Sequence, residues 1–169
     1  RLGALVFGAP SLYRMQLNEA SIWDGERRDR SNPRAGEAVR ERFVPWPELG
    51  VAAGVGRELW DAPCARWLAL PQTLAAGHKY VALTVSGSSM EPALHAGDVV
   101  LVNVGASVRR DSIVVARRPE EGYVVKAVGK LSRRAIELRS LNPEFEPFSI
   151  PRDDALIVGT VVMRWCAHA

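Results

Sequence analysis

The sequence predicts a mostly β protein, with a β core from about residue 44 to residue 169 behind a short, partly helical N-terminal region and a linker. Two observations lead to this fold class. Six segments are rich in the β-branched and aromatic residues that favour strands, and turn formers separate them at intervals of 8 to 15 residues. The composition, with 47% hydrophobic and 24% charged residues in 169, is typical of a soluble globular protein. The six predicted strands are 80–85, 99–102, 112–116, 123–128, 136–138 and 156–163.

The residues before this core differ from it in hydrophobic pattern and in charge. In residues 1–25 the apolar positions have no clean period, and they favour short helices over strands. The segment 26–43 is nearly devoid of apolar residues and has six arginines against four acidic residues. Such a segment cannot bury enough surface to fold alone, which predicts a charged linker, with a DNA-contacting arm as the alternative. Prolines make residues 44–47 extended, and 51–56 is a run of small residues.

Composition also excludes several classes of protein. The longest nearly uninterrupted apolar stretch, 155–163, has nine residues, whereas a membrane-spanning helix needs about 20. No basic and apolar leader opens the sequence, so we expect a cytoplasmic protein without a membrane partner. Cys64 and Cys166 fit no metal spacing, and we expect two reduced thiols, no metal and no cofactor. The net charge of +3 permits contact with nucleic acid without requiring it.

A serine-rich loop and a lysine in an apolar strand suggest a catalytic pair. Residues 85–92, Val-Ser-Gly-Ser-Ser-Met-Glu-Pro, follow a strong predicted strand, and Lys126 lies among valines and alanine in a later one. A serine hydroxyl needs a base, and lysine can act as that base only when it is neutral. Burial among apolar side chains lowers a lysine pKa, so the strand offers the required setting. An ordinary turn and an outward-facing strand lysine are the alternatives. His78, His95 and His168 form no convincing Ser-His-Asp arrangement.

The serine loop resembles the nucleophile motif of the LexA / phage CI repressor / UmuD family of self-cleaving serine peptidases. The similarity extends through Gly97-Asp98 into the strand that follows. In that family the serine before the methionine is the nucleophile, which is Ser89 here. The family's base is a lysine in a Val-Lys pair on a later strand, which corresponds to Lys126, 37 residues after the serine (126 − 89). Residues 141–145 and 157–162 resemble the family's last segments.

The family cleaves itself at an Ala-Gly or Cys-Gly bond, and one Ala-Gly pair has the right position. Ala53-Gly54 lies 36 residues ahead of the serine (89 − 53), and the flanking Val51 and Ala52 complete the similarity. Ala35-Gly36 lies too far upstream, in the charged segment. Ala76-Gly77 is only 13 residues before the serine (89 − 76) and lacks a β-branched residue before its alanines.

The resemblance implies a C-terminal peptidase and dimerisation domain of twisted antiparallel sheets over residues 44–169, with the cleavage segment at 51–56. It implies a transcriptional repressor of the SOS DNA-damage response that forms a homodimer, binds operator DNA through its N-terminal region and responds to RecA filaments on single-stranded DNA. Residues 1–25 are then a candidate remnant of a DNA-binding domain. Backbone N–H groups of Ser88 and Ser89 would hold the oxyanion. A cut at Ala53-Gly54 would separate the N-terminal region from the β domain.

Three alternatives share parts of this pattern. A UmuD-like accessory subunit of a translesion polymerase would use the same chemistry, but its arm before the cut is usually shorter than 52 residues. A non-cleaving dimerisation module could keep the fold without the reaction, although all three motifs are present here. Signal peptidases carry a similar serine box, but they need a membrane anchor and usually have a longer interval between serine and lysine.

Overall fold

The computed structural model describes residues 3–4, 13–16, 22–24, 42–47, 64, 66–74, 77–118, 122–153 and 156–167. Every regular element among these residues is a β-strand. Within this part of the chain there is accordingly no helix long and apolar enough to cross a membrane. The strands are β1 (Gly3–Ala4), β2 (Tyr13–Gln16), β3 (Ile22–Asp24), β4 (Arg42–Trp46), β5 (Arg66–Leu70), β6 (Tyr80–Thr84), β7 (Val99–Val104), β8 (Ile113–Arg118), β9 (Gly122–Leu131), β10 (Ala135–Arg139), β11 (Phe148–Pro151) and β12 (Ile157–Cys166).

Nine of the strands described above form one large sheet. Its order is β1-β2-β12-β8-β9-β10-β11, and β7 pairs with both β12 and β6. All of its pairings are antiparallel except that of β12 with β2, which is parallel. Strands β8 to β11 are neighbours in sequence and in space because short connections favour pairing between consecutive strands. This run of adjacent strands brings β9, which carries Lys126, into the middle of the sheet.

A smaller antiparallel sheet has the order β3-β5-β4. The buried side chains of Val44, Trp46 and Leu68 on this sheet pack against Leu101 and Trp165 of the large sheet. Apolar area removed from water stabilises the fold in proportion to its size. The small sheet is therefore part of the hydrophobic core of the described chain and not an appendage to it.

The central apolar cluster lies under the loop that connects β6 to β7. Two loop residues, Met90 and Leu94, are buried in it at 2% and 0% exposure. The other members are Val85, directly after β6, and the strand residues Val81, Leu83, Val100, Val102, Ile113, Val115, Ala127 and Val161. Because protein cores are close-packed, a loop with two side chains in the core has little freedom to move. The core thus fixes the backbone on which Ser89 stands.

The six predicted strands are confirmed as β6, β7, β8, β9, β10 and β12, each within a few residues of its predicted bounds. Segment 44–47 was expected to be extended, and β4 begins slightly earlier, at Arg42, inside the segment assigned to the linker. Strands β5 and β11 were not predicted, since their runs are short and contain fewer β-branched residues. The rest of segment 26–43 lies outside the described residues.

The helical expectation for residues 1–25 is wrong wherever these residues are described. They form β1, β2 and β3. Strand β2 pairs with β12, and β3 pairs with β5. An available sheet edge overrides weak local propensity, since pairing satisfies backbone groups that a short helix leaves without partners.

Candidate active site

Ser89 stands on the loop between β6 and β7, and backbone hydrogen bonds close the base of this loop. Val85 N–H donates to the carbonyl of Asp98 at 2.7 Å, and Gly97 N–H donates to the carbonyl of Val85 at 2.9 Å. These bonds continue the β6–β7 ladder by one step beyond Thr84. Ser89 therefore projects from a loop whose two ends are held together, and not from a long free connection.

A tight turn sets the orientation of the serine within the loop. Glu91 N–H donates to the Ser88 carbonyl at 3.1 Å, which puts Ser89 and Met90 at the two central positions of a four-residue turn. The next turn is closed by Leu94 N–H, which donates to the Met90 carbonyl at 2.9 Å. Met90 and Leu94 are buried whereas Ser89 remains partly exposed. The loop thus presents the hydroxyl at the surface while its apolar neighbours anchor it from below.

Lys126 meets this serine from the middle of β9. Its Nζ lies 2.5 Å from the Oγ of Ser89, and both residues are half-buried. Strand β9 is paired on both sides, with β8 and β10, and Lys126 lies opposite the fully buried Val114. A charged lysine donates a hydrogen bond to Oγ at this distance, and a neutral one can accept the hydroxyl proton. The arrangement meets the geometric requirement for a nucleophile beside a general base.

A second loop holds the backbone of the serine turn. The carbonyl of Ser89 accepts hydrogen bonds from the N–H groups of Leu141 at 3.1 Å and Asn142 at 3.0 Å. The Asn142 Nδ2 donates to the Ser88 carbonyl at 3.3 Å, and its Oδ1 accepts from Glu144 N–H at 3.0 Å. Two successive carbonyls of the turn are thus held by residues more than 50 positions later in the sequence.

The same pattern leaves the amide groups of the turn available. Among the described residues, the N–H groups of Ser88 and Ser89 take part in no hydrogen bond, although both carbonyls do. Donors fixed in place and without internal acceptors are what a developing oxyanion needs.

An aromatic ring stands beside the lysine. The ring centroid of Phe145 lies 5.9 Å from Lys126 Nζ, at the outer limit of a cation–π contact. Phe145 is 43% exposed, which is unusual for a phenylalanine. The segment that follows Asn142 therefore places an apolar surface next to the Ser89–Lys126 pair.

A buried ion pair ties the end of the serine loop to β12. The Arg164 Nε lies 2.9 Å from the Asp98 Oδ2, and the two side chains are only 7% and 4% exposed. Asp98 also accepts hydrogen bonds from the N–H groups of His95 at 2.8 Å and Ala167 at 3.2 Å, and Arg164 donates to the Ala93 carbonyl. Hydrogen bonds of this kind compensate for the burial of charge.

Some candidate residues from the sequence analysis lie outside the described part of the chain, and one lies away from Ser89. Val51, Ala52, Ala53 and Gly54 lie outside the described residues, as does His168. His95 contacts Asp98 and the Nη2 of Arg164, at 3.3 Å, and not the serine. Within the described ranges no group of His, Cys, Asp or Glu side chains could hold a metal ion.

Sequence reasoning missed three contributors to this site: Asn142, Phe145 and the Asp98–Arg164 pair. Residues 141–145 were noted only for their resemblance to the family's last segments, and Asp98 only as part of the family similarity around the serine loop. A Leu-Asn-Pro turn gives no local indication of a partner more than 50 residues away. An arginine in an otherwise apolar strand such as β12 was an available signal, since buried arginines need an acidic partner.

A surface serine held against a lysine, on a β scaffold and with available amide donors, is the arrangement of a serine peptidase that uses a lysine base. The Peptidase S24-like family model matches residues 47–162, and the chain belongs to that family. The chain is also 35% identical over 118 residues to a LexA repressor of Alcanivorax borkumensis. That similarity covers 69% of this chain and 56% of the relative, so the chain spans little more than half the length of the curated relative it matches.

Proposed function

We propose that this chain is the self-cleaving part of a LexA/CI-like repressor, in which Ser89 and Lys126 cut the bond between Ala53 and Gly54. The observation that carries the proposal is the 2.5 Å separation of Lys126 Nζ and Ser89 Oγ. Membership in the S24-like family and the similarity to a LexA repressor support the same reaction.

The reaction begins when neutral Lys126 takes the proton of the Ser89 hydroxyl. The Oγ attacks the carbonyl carbon of Ala53, and the oxyanion accepts hydrogen bonds from the free N–H groups of Ser88 and Ser89. Lys126 then gives its proton to the nitrogen of Gly54, the peptide bond breaks, and water hydrolyses the ester that remains on Ser89. Because the cleavage segment and Ser89 belong to the same chain, the reaction needs no bimolecular encounter. Correct positioning of the segment beside Ser89 therefore supplies much of the rate.

The chain is long enough to bring the proposed bond to the serine. Trp46 Nε1–H donates to Thr84 Oγ1 at 2.9 Å, so β4 ends beside the strand that leads into the serine loop. Ala53 follows Trp46 by seven residues, which span up to about 25 Å when extended, whereas Thr84 and Ser89 are at most about 18 Å apart along the chain. This reach supports cleavage within one molecule, without requiring a second copy.

The repressor function is the larger part of the proposal. The full-length protein would bind operator DNA in the cytoplasm as a dimer formed through its β domain, because two DNA-binding units on one operator gain affinity from each other. A RecA filament on single-stranded DNA would favour the conformation in which the cleavage segment is docked, which is a population shift. Cleavage, followed by separation of the N-terminal region from the β domain, would then relieve repression in an SOS-type response to DNA damage.

We expect the purified chain to cut itself between Ala53 and Gly54 faster as the pH rises, without any partner. Only neutral lysine can act as the base, and below the lysine pKa its neutral fraction grows about tenfold per pH unit. The rate should therefore increase from about pH 7 upwards and level off above the lysine pKa. Intact mass spectrometry over time gives the rate, and the mass of the C-terminal product identifies Gly54 as its first residue.

Two variants make this result specific. Ser89→Ala should show no cut at any pH, whereas Ser86→Ala, which removes another exposed serine of the same loop, should cut like the wild type. Failure of the wild type to cut at any pH, with or without RecA filaments, would contradict the proposed reaction and favour a non-cleaving module of the same fold.

Asn142→Ala should slow self-cleavage several-fold and lower the free energy of unfolding by about 1 kcal/mol. The substitution removes the side-chain bond to the Ser88 carbonyl, so the serine turn loses one of its restraints. Cleavage assays and urea unfolding measure the two effects. Glu144→Ala, an exposed change two residues away, is the matched control. Equal cleavage rates for Asn142→Ala and wild type would show that this bond does not position the turn.

A further inference from the structure

The position of the proposed cut in the topology has a consequence for its products. Ala53 and Gly54 lie in the connection between β4 and β5, which are antiparallel neighbours. The register runs from Arg42 opposite Leu70 to Trp46 opposite Arg66, so the paired residues nearest the connection are Trp46 and Arg66. A break in the loop of a hairpin removes one covalent link but none of the hydrogen bonds between its strands.

Strand β4, which precedes the cut, is buried by residues that follow it. Val44 and Trp46 are 6% and 3% exposed. They belong to one apolar cluster with Leu68, Leu101 and Trp165 on the other side of the cut. Phe43, which lies opposite Ala69 in the register, is 38% exposed. The inward face of β4 therefore fills a site that the rest of the β domain forms.

Polar contacts of Trp46 add to this burial. Its Nε1–H donates to Thr84 Oγ1 at 2.9 Å, and its backbone N–H donates to the Sγ of Cys64 at 3.1 Å. The guanidinium of Arg66 lies 4.1 Å from the centroid of its ring. A tryptophan that is both buried and hydrogen-bonded has the properties of an interface hot spot. All three partners lie on the C-terminal side of the proposed cut.

The strands before β4 are held in the same way. Strand β3 pairs with β5, in the register Ile22 opposite Leu68, and β2 pairs in parallel with β12. Of the described strands that precede the cut, only β1 pairs solely with a strand on the same side, β2. Separating the two products would thus open pairings in both sheets.

We propose that the edges of β5 and the apolar cluster beneath it are a binding surface for the N-terminal cleavage product, so that the cut chain remains one non-covalent complex. This inference rests on the proposed function for the location of the cut. Cleavage is then the first of two steps, and the N-terminal product is released only when β4 leaves the core. Once the covalent tether is lost, the fraction of N-terminal product that stays bound depends on protein concentration. In an uncut chain, the packing of β4 in the core does not depend on concentration.

The test uses the full chain with Ser89→Ala and with residues 51–56 replaced by the recognition sequence of an external protease. After complete digestion we expect the two pieces to elute together from a sizing column at micromolar concentration, and native mass spectrometry should show their summed mass. Denaturant should separate them. Elution of two separate pieces directly after digestion would overturn the inference. Because the external protease replaces Ser89, this outcome is independent of whether the wild type cuts itself.

Substitutions in β4 and at its contact identify the surface. Trp46→Ala should weaken the nicked complex at least ~100-fold, whereas Phe43→Ala, on the exposed face, should leave it intact. If uncut Trp46→Ala does not fold, Thr84→Val removes only the acceptor of the Nε1–H bond and should raise the dissociation constant about fivefold. If the nicked complex were unchanged in both Thr84→Val and a folded Trp46→Ala, the binding energy would come from other contacts. That result would contradict the proposed role of this surface.

Discussion

Lys126→Ala should lower the rate of self-cleavage by at least ~10³-fold at every pH. In the proposed reaction this side chain is the base, and its Nζ lies 2.5 Å from the Ser89 Oγ. Removing one member of a nucleophile–base unit lowers the rate about as much as removing the whole unit. The Ser89 hydroxyl remains a poor nucleophile without it. Intact mass spectrometry of wild type and variant over the same pH series measures the effect.

Lys126→Arg separates the role of base from the role of positive charge. Arginine keeps the charge but cannot be deprotonated in a protein, so this variant should be as inactive as Lys126→Ala. Lys130→Ala, on the same strand, removes a lysine that is 82% exposed, and its rate should equal that of the wild type. A Lys126→Arg variant that retained a tenth of the wild-type rate would show that Lys126 acts through its charge and not as a base.

Asp98→Ala should lower the free energy of unfolding by about 3–5 kcal/mol. The substitution leaves the guanidinium of Arg164, only 7% exposed, without its carboxylate at 2.9 Å. It also removes the acceptor of two backbone N–H groups, those of His95 and Ala167. Because this pair closes the serine loop onto β12, we expect self-cleavage to slow as well. Urea unfolding followed by tryptophan fluorescence measures the stability.

The control for this prediction is an exposed ion pair of similar geometry. Arg139→Ala breaks the contact of Arg139 Nη2 with Asp111 Oδ1 at 3.1 Å, where the side chains are 39% and 46% exposed. Solvent screens such a pair, so the loss should be within about 1 kcal/mol. Equal losses for Asp98→Ala and Arg139→Ala would show that burial adds nothing to the effect of the Asp98–Arg164 pair.

The strands of the β core were predictable because their side chains repeat a local pattern. Runs such as Val99–Val104 and Ile113–Arg118 are rich in β-branched residues and end at turn formers. Strands β1 to β3 were not, because they are only two to four residues long, and β2 and β3 pair with β12 and β5, which are distant in sequence. The choice between helix and strand for such short segments depends on the available partner edge.

The sequence by itself determined the β class, the loop that carries Ser89, the strand that carries Lys126 and the family resemblance, since each depends on residues that are close together in the chain. Only the tertiary structure decided that Lys126 Nζ meets Ser89 Oγ, that Asn142 holds the Ser88 carbonyl, and that Asp98 pairs with Arg164. The physical reason is the distance along the chain over which each kind of interaction acts. Side-chain preferences and turns act over a few residues, whereas these contacts join groups 37 to 66 positions apart, and sheet order and core packing bring them together.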